Sequence, residues 1–266
     1  MKKYLILLTV SLVYWSCTEE PSRDINTDLS QEADQFFGFS EAVSESAYLG
    51  NLSYSDYTTL LTNALPSCPA IMLTPDSRIV TLDYSNTEEC DQEKKAARTG
   101  RIILDFTFSN LENPTWTMTY ADYTYNGIEI VGTRKFTGLS ATENQESFEE
   151  LRLELANNLD FSASGTLTHT VSQAGSTPMS LSTLGRIEGK NPAGRDFFLT
   201  IADAKEQLFT CYQQGWILPR KGQESWVVAR GTSSSGNYVT NFQNSETCDP
   251  VVISTLPDGR TLQLNP

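Results

Sequence analysis

From Cys68 onward, apolar and polar residues alternate along the chain in short runs. Every second residue from Ile102 to Phe108 is apolar, and the segment from Trp116 to Tyr120 repeats the pattern. Successive side chains of a β-strand point to opposite faces, so the alternation predicts strands with one apolar face. Gly, Pro, Ser and Asn separate the runs at the short intervals that are typical of an antiparallel meander.

The clearest turn is Tyr125-Asn126-Gly127-Ile128, because Asn-Gly supplies the two positive φ angles of a type I′ hairpin. The segment from Ile128 to Thr137 is then expected to return antiparallel. The fold class predicted is an all-β antiparallel meander, either a strongly curved open sheet or a sandwich. Further predicted strands are 148–155, 161–171, 179–188, 195–202, 207–212, 224–231, 237–243, 250–255 and 260–264.

A different pattern precedes Cys68. Between Gln31 and Ala64 the apolar residues fall at loosely helical spacing, which predicts one or two short helices. Residues 17–30 are polar and nonperiodic, as expected of a flexible acidic tether. The remaining 31–266 are long enough for a single all-β domain that buries a sizeable core.

The N-terminus predicts export. Two lysines precede a 12-residue apolar run, Tyr4–Trp15, which is the pattern of a signal peptide over residues 1–16. The run is too short to cross a bilayer, which takes about 20 apolar residues. A small residue directly before Cys17 indicates a lipoprotein signal, so Cys17 is the predicted lipidation site. The alternatives are a plain signal peptide or an uncleaved anchor.

The predicted localisation is therefore the cell envelope, as an outer membrane lipoprotein held by the lipid on Cys17. The acidic Thr18-Glu19-Glu20 that follows resembles a tag for export to the cell surface, and a solvated linker is the alternative. Loss of the two lysines would change the formal charge from −14 to −16. A surface this acidic repels phosphate backbones, which excludes nucleic acid as a partner.

The chain contains five cysteines, an odd count for an exported protein. If Cys17 carries a lipid, four remain, and four cysteines in an oxidising compartment suggest two disulfides with three possible connectivities. None of their spacings is that of a zinc or redox site. The four are Cys68, Cys90, Cys211 and Cys248.

Residues 82–91 and 240–249 form an internal repeat that shares Asn, Glu, Cys and Asp at matching positions. Each copy follows another cysteine and precedes a Gly-Arg and a strand-like run. The repeat predicts two similar strand–turn units, within about 66–140 and 205–266, each closed by its own disulfide. The predicted pairs are Cys68–Cys90 and Cys211–Cys248.

Several short stretches, made mostly of turn residues, follow the pattern of a known family. They are residues 80–84, the acidic turn at Cys90, 98–103, 122–127, 132–133, Cys211, Trp226, 248–249 and 258–259. These stretches resemble a family of secreted Bacteroidota lipoproteins built on long antiparallel β-sheets. The resemblance implies an all-β envelope protein, and no established activity comes with it.

Residues that could carry chemistry are few. A Ser-His-Asp arrangement would need His169, the only histidine, whose neighbours in sequence instead favour a packed strand residue. Asp91 and Asp249 of the repeat could ligate a metal, although a role in turns is favoured. No nucleophile elbow, phosphate loop or metalloprotease signature is present. We therefore expect no enzyme activity, no metal and no cofactor.

Three functions stay open. The first is a noncatalytic envelope or cell-surface protein, a β scaffold that binds or displays a glycan or an envelope protein. The second is a carbohydrate-binding module of a glycan-uptake system, with aromatics on one sheet face. The third is a glycoside hydrolase that uses paired carboxylates. Sugar-stacking candidates for the second, each with core packing as the favoured interpretation, are Tyr212, Trp216, Trp226 and Tyr238.

Overall fold

A computed structural model describes residues 28–85, 90–93, 96–112, 114–155, 159–174 and 177–265. All described strands belong to one antiparallel sheet whose order follows the chain, except that β5 and β6 both lie between β4 and β7. The predicted curved open sheet is confirmed, and the sandwich is wrong. The strands are β1 Ala70–Thr74, β2 Ile79–Asp83, β3 Arg98–Asp105, β4 Thr115–Tyr125, β5 Ile128–Val131, β6 Thr133–Gly138, β7 Glu143–Leu155, β8 Leu159–Ala174, β9 Thr177–Lys190, β10 Asp196–Leu208, β11 Lys221–Ala229, β12 Ser235–Phe242, β13 Val252–Thr255 and β14 Thr261–Gln263.

The principal helix, α1, spans Leu29–Glu45 and begins inside the predicted tether. Asp28 caps it by accepting hydrogen bonds from the backbone N–H groups of Ser30 and Gln31. Its 17 residues make it about 25 Å long. Three short helices, α2 (Ala47–Gly50), α3 (Tyr54–Tyr57) and α4 (Phe209–Gln213), and a 3-10 turn at Thr62–Ala64 complete the helical content of the described residues.

The core forms between α1 and the inner face of the sheet. Phe36 stacks on Trp226 of β11 with ring centroids 4.6 Å apart, and Phe39 lies 4.9 Å from Phe161 of β8. At the other end of the helix, Tyr123 of β4 donates a hydrogen bond to Glu45. Strands from well-separated places in the sheet thus contact one helix, so the sheet must curve around it.

The predicted hairpin at Asn126-Gly127 is confirmed, with φ angles of 49° and 80° and with Tyr125 paired to Ile128. The returning strand is interrupted at Gly132, whose φ of 137° separates β5 from β6. The alternation from Ile102 is confirmed for the buried residues of β3, but β3 ends at Asp105. Phe108 lies beyond that end and is 81% exposed.

The strand predicted for 207–212 is wrong beyond Leu208, where α4 begins. The helical turn places Phe209 and Tyr212 on the same side, because residues three apart share a helix face. Both rings stack on Tyr48, at 4.8 and 4.9 Å. Residues three apart in a strand would point to opposite faces and could not make both contacts.

Both predicted disulfides are present, with Cα–Cα distances of 5.4 Å for Cys68–Cys90 and 5.3 Å for Cys211–Cys248. The first encloses the β1–β2 hairpin and the second encloses the β11–β12 hairpin. The two units are distant in strand order but touch, because the Gln92 side chain donates a hydrogen bond of 2.8 Å to the carbonyl oxygen of Gln213.

Among the helices that the structure describes, none has both the length and the apolar character needed to cross a membrane.

Candidate functional site

The predicted candidate for catalysis, His169, is fully buried on β8. Its Nε2 lies 2.8 Å from Glu146 Oε2 and its Nδ1 lies 3.0 Å from Thr183 Oγ1. Since an ionised carboxylate can only accept, Nε2 carries the proton, and in the neutral ring Nδ1 accepts from Thr183. The order hydroxyl, imidazole, carboxylate is that of a nucleophile, a base and an orienting acid.

The surroundings of His169 leave little room for a substrate. The cavity that His169 and Thr183 line has a volume of about 30 Å³, which is enough for roughly one or two water molecules and far below a ligand pocket. Glu146 is also held by Arg134, whose Nε and Nη2 contact its two oxygens at 2.7 and 2.8 Å. This geometry is that of a packed polar network in the core.

Electrostatics agree with that description. Burial by itself would raise the pKa of Glu146, but the charge of Arg134 and the hydrogen bond from His169 outweigh burial and lower the pKa to about 2. Glu146 is therefore ionised at neutral pH and neutralises the buried guanidinium. A general acid, which must donate a proton at neutral pH, would need the opposite shift.

A second buried ion pair in the core links β10 to β11. Lys205 Nζ lies 2.6 Å from Glu224 Oε1 and also donates to Ser40 and Ser44 of α1. The same Glu224 accepts from the indole N–H of Trp226 at 3.3 Å. The two charged groups therefore pair with each other and hold α1 on the sheet.

Three of the four aromatic candidates for sugar stacking are in the core. Tyr212, Trp226 and Tyr238 are at most 1% exposed, and Trp216 is half-buried. The favoured packing interpretation is confirmed for the three buried rings. An aromatic platform built from these four residues is therefore wrong.

Asp91 and Asp249 of the repeat are both exposed. Within the described ranges, no three His, Cys, Asp or Glu side chains come close enough to hold a metal ion. The predicted lipidation site, Cys17, lies outside the described residues.

The open site of interest is a cleft of about 440 Å³ at the end of α1 where the chain leaves the helix. We call it the distal cleft. Its volume falls within the range of small-molecule pockets. Its walls come from seven stretches of the chain: Tyr48 with residues 51–56, Arg78, the β3–β4 connection, Trp116, the β6–β7 connection with the start of β7, the end of β8 and the start of β9.

Aromatic rings form part of the cleft wall. Trp116 is half-buried and lies between Phe106 and Phe136, at centroid distances of 5.8 and 5.7 Å. Its indole N–H donates a 2.8 Å hydrogen bond to the carbonyl oxygen of Gly50, which fixes the ring. Any side chain at Gly50 would collide with the Phe136 ring, since a Cβ there would lie 2.2 Å from it. Only glycine allows this close approach.

Two amide side chains, Asn51 and Asn144, also line the cleft. Asn51 Nδ2 donates to the carbonyl oxygen of Ala47 at 2.8 Å, and Asn51 Oδ1 accepts from Asn144 Nδ2 at 3.0 Å. The first bond anchors Asn51 to α2, and the second carries that anchoring across to β7. The two side chains therefore hold each other in place at the wall before any ligand arrives.

The charged groups of the cleft are already engaged. Arg78 lies over the ring of Tyr54, 5.4 Å from its centroid, and donates to the carbonyl oxygen of Ser109 at 2.6 Å. Asp56 accepts from the backbone N–H and the hydroxyl of Ser53 at 2.7 and 2.8 Å, which closes the capping box of α3. Asp56 is the one acid among the described lining residues.

A second recess, of about 610 Å³, lies on the outer face of β7–β10. Phe198, 55% exposed, stands there beside Glu149, Arg186 and Glu188. Exposed charges of both signs on neighbouring strands are typical of a solvated sheet face. None of the described residues that line this recess is a buried polar residue.

Sequence reasoning missed the distal cleft. Its residues come from seven separate stretches of the chain, and none of them forms a motif. The one local signal was the Ser53–Asp56 capping pattern, which marks α3 but no site.

Comparison with known proteins gives no relative for this chain: no family model, no curated protein and no solved structure matches it.

Proposed function

We propose that this protein is a noncatalytic, lipid-anchored binding protein of the cell envelope. The observation that carries the proposal is that the anchored segment and the cleft lie at opposite ends of α1. The chain leading from Cys17 enters at the N-terminal end of this helix, and the distal cleft opens at its other end, about 25 Å away. A lipid at Cys17 would therefore attach the protein through the end of α1 that is opposite to the cleft.

The contacts at the N-terminal end of α1 support a rigid mount. Glu32 pairs with Arg195 and Arg230, and it accepts hydrogen bonds from Tyr238 and from Asn191. The helix is thereby joined to three strands or their connections at the point nearest the anchor. A rigid scaffold of this kind suits display or binding.

The glycoside hydrolase alternative has less support. The distal cleft presents one acid among its described residues, whereas the reaction needs two. The outer recess has Glu149 and Glu188, but both side chains are exposed. A general acid needs a protected setting that keeps it protonated at neutral pH.

Metabolic labelling with radioactive palmitate tests the anchor. We expect the full chain, expressed in a bacterium with a lipoprotein pathway, to carry label and to fractionate with membranes. The Cys17→Ser variant should lose both properties, because serine cannot form the thioether. Thr18→Ala keeps the cysteine and serves as the matched control.

Two results would contradict the proposal. One is an unlabelled wild-type protein that is secreted into the medium. The other is turnover of a glycoside or ester substrate by the purified chain. Protease treatment of intact cells then distinguishes the two orientations, since an outward-facing protein is cleaved and a periplasmic one is protected.

A further inference from the structure

The distal cleft contains an unsatisfied hydrogen-bonding group. Tyr48 lines the cleft and is 1% exposed, and its hydroxyl has no hydrogen-bond partner among the described residues. A buried hydroxyl without a partner reduces the free energy of unfolding by roughly 1–3 kcal/mol, so its presence in a native structure needs a reason. A ligand that supplies the partner is one such explanation.

The hydroxyl of Tyr48 is fixed and protonated. Its ring lies against Phe209 and Tyr212, which fix the ring plane. Burial, together with the nearby Asp56 carboxylate, raises the pKa of Tyr48, so the hydroxyl keeps its proton. It can therefore both donate and accept a hydrogen bond.

The remaining cleft chemistry selects against charged ligands. Arg78 and Asp56 cancel in charge and are each engaged by a neighbour within the protein. The chain as a whole carries a formal charge of −14, which repels anions. The uncharged residues that line the cleft carry a phenol hydroxyl, amides, other hydroxyls and the half-buried rings of Tyr54 and Trp116.

We propose that the distal cleft is a binding site for a neutral carbohydrate. A sugar ring presents hydroxyls, which pair with the Tyr48 hydroxyl and the Asn51–Asn144 amides, and apolar C–H groups, which contact the parts of the half-buried Tyr54 and Trp116 rings that their neighbours leave uncovered. A volume of about 440 Å³ fits a short oligosaccharide segment and not a folded partner. The sugar-binding role predicted for the four aromatic candidates is thus reassigned to the distal cleft.

The outward orientation of this site rests on the proposed lipid anchor, but its chemistry does not. An anchored protein with its sugar site about 25 Å from the tether would hold glycans at the envelope without cleaving them. The absence of a second acid in the described lining is consistent with retention of the bound chain.

The test uses the full chain purified in a zwitterionic, sugar-free detergent. An array of neutral oligosaccharides identifies a binder, and titration calorimetry gives its dissociation constant. Tyr48→Phe should weaken that binding about tenfold, because it removes one hydrogen bond to the ligand and keeps the ring stacking. Its folding stability should be unchanged or slightly higher, since the hydroxyl has no partner to lose.

Tyr84→Phe is the matched control. Tyr84 is also buried with an unpartnered hydroxyl within the described part of the chain, but it does not line the cleft. The same substitution there should leave the dissociation constant unchanged. Trp116→Leu gives a second variant, for which we expect a loss of tenfold or more.

Three results would overturn the inference. They are an array with no neutral glycan bound, affinity that Tyr48→Phe and Tyr84→Phe change equally, and binding confined to acidic glycans or peptides. The palmitate experiment is independent of these. Labelled Cys17 with no glycan bound refutes only the sugar site, and an unlabelled chain that binds glycans refutes only the anchor.

Discussion

Two of the buried ion pairs near the C-terminal end of α1, Arg134–Glu146 and Arg98–Glu45, differ in how completely their hydrogen bonds are satisfied. In the saturated network, Arg134 contacts both oxygens of Glu146, and His169 completes the carboxylate. In the unsaturated network, Glu45 receives bonds from Arg98 and Tyr123 through one oxygen only.

The difference is visible atom by atom. The third nitrogen of Arg134, Nη1, also finds partners, on Val43, Ser46 and Tyr120. In the unsaturated network three buried polar atoms have no partner among the described residues. They are Glu45 Oε1, Arg98 Nη2 and the Tyr84 hydroxyl.

The fold is specified more rigidly around the saturated network than around the unsaturated one. A fully paired buried network admits one arrangement, whereas unpaired donors and acceptors are costly and leave room for an ordered water or a rearrangement. The same glutamate-to-glutamine substitution in the two networks should therefore have different costs.

The largest effect is expected for Glu146→Gln. The amide NH₂ would face donors on Arg134 or His169, and the guanidinium would lose its countercharge in a fully buried setting. We expect the free energy of unfolding to fall by about 3–5 kcal/mol, measured by urea denaturation.

Arg152→Ala is the control for that substitution. Arg152 pairs with Glu154 and Asp160 on the surface, where ion pairs contribute little, so the loss should stay below about 1 kcal/mol. Equal losses for Glu146→Gln and Arg152→Ala would show that burial and saturation of the network do not matter.

The second-largest effect is expected for acid, which should reduce the stability that the saturated network contributes. The pKa of Glu146 is lowered from 4.5 to about 2 in the folded protein, so the unfolded chain takes up the proton first as pH falls. The stabilisation is complete above pH 4.5 and is lost toward pH 2, at up to about 1.4 kcal/mol per pH unit. The stability difference between wild type and Glu146→Gln should therefore shrink as pH is lowered. A constant difference would contradict the assignment.

Glu45→Gln should cost less, about 1–3 kcal/mol. The amide can keep its oxygen toward Arg98 and Tyr123 and place its NH₂ where Oε1 has no partner. Arg98 also retains Ser67 and the face of the Tyr125 ring, 5.1 Å away. A loss as large as that of Glu146→Gln, in the same urea titration, would remove the distinction between the networks.

The smallest effects separate two tyrosines of the unsaturated network. Tyr123→Phe removes a 3.0 Å hydrogen bond to Glu45 and should cost about 1 kcal/mol. Tyr84→Phe removes a hydroxyl with no described partner and should change the unfolding free energy by less than about 0.5 kcal/mol, or raise it. A matching loss in both variants would mean that Tyr84 has an undetected partner.

Much of the fold could be predicted from local pattern. The alternation that begins at Ile102 marks β3, the Asn126-Gly127 pair marks the hairpin, and the repeat gives both disulfides. The first two signals are each contained in a few neighbouring residues, and the repeat becomes visible when two short segments, 82–91 and 240–249, are aligned, so sequence reasoning finds all three. The length of α1 was harder, because Gly38 and several polar residues weaken its periodicity.

The site could not be predicted in the same way. In the sequence nothing distinguishes Tyr48 from the other residues of its segment. Its hydroxyl is seen to lack a partner only in the folded protein, where α4 and the sheet enclose the side chain. Trp116 likewise fits the alternation of apolar and polar residues that any strand shows. The curvature of the sheet brings these distant stretches together, and curvature leaves no mark in a short window of sequence.

The position of α1 has a consequence for how the chain assembles. Glu32 is joined to Arg230, 198 residues later, so the first helix of the described residues is enclosed by strands that are synthesised near the end. Contacts this far apart in sequence make folding slow, because a long loop must close before they form. A chain halted after β8 would leave Phe36 without Trp226. We expect folding to proceed as a late, concerted event that follows complete synthesis.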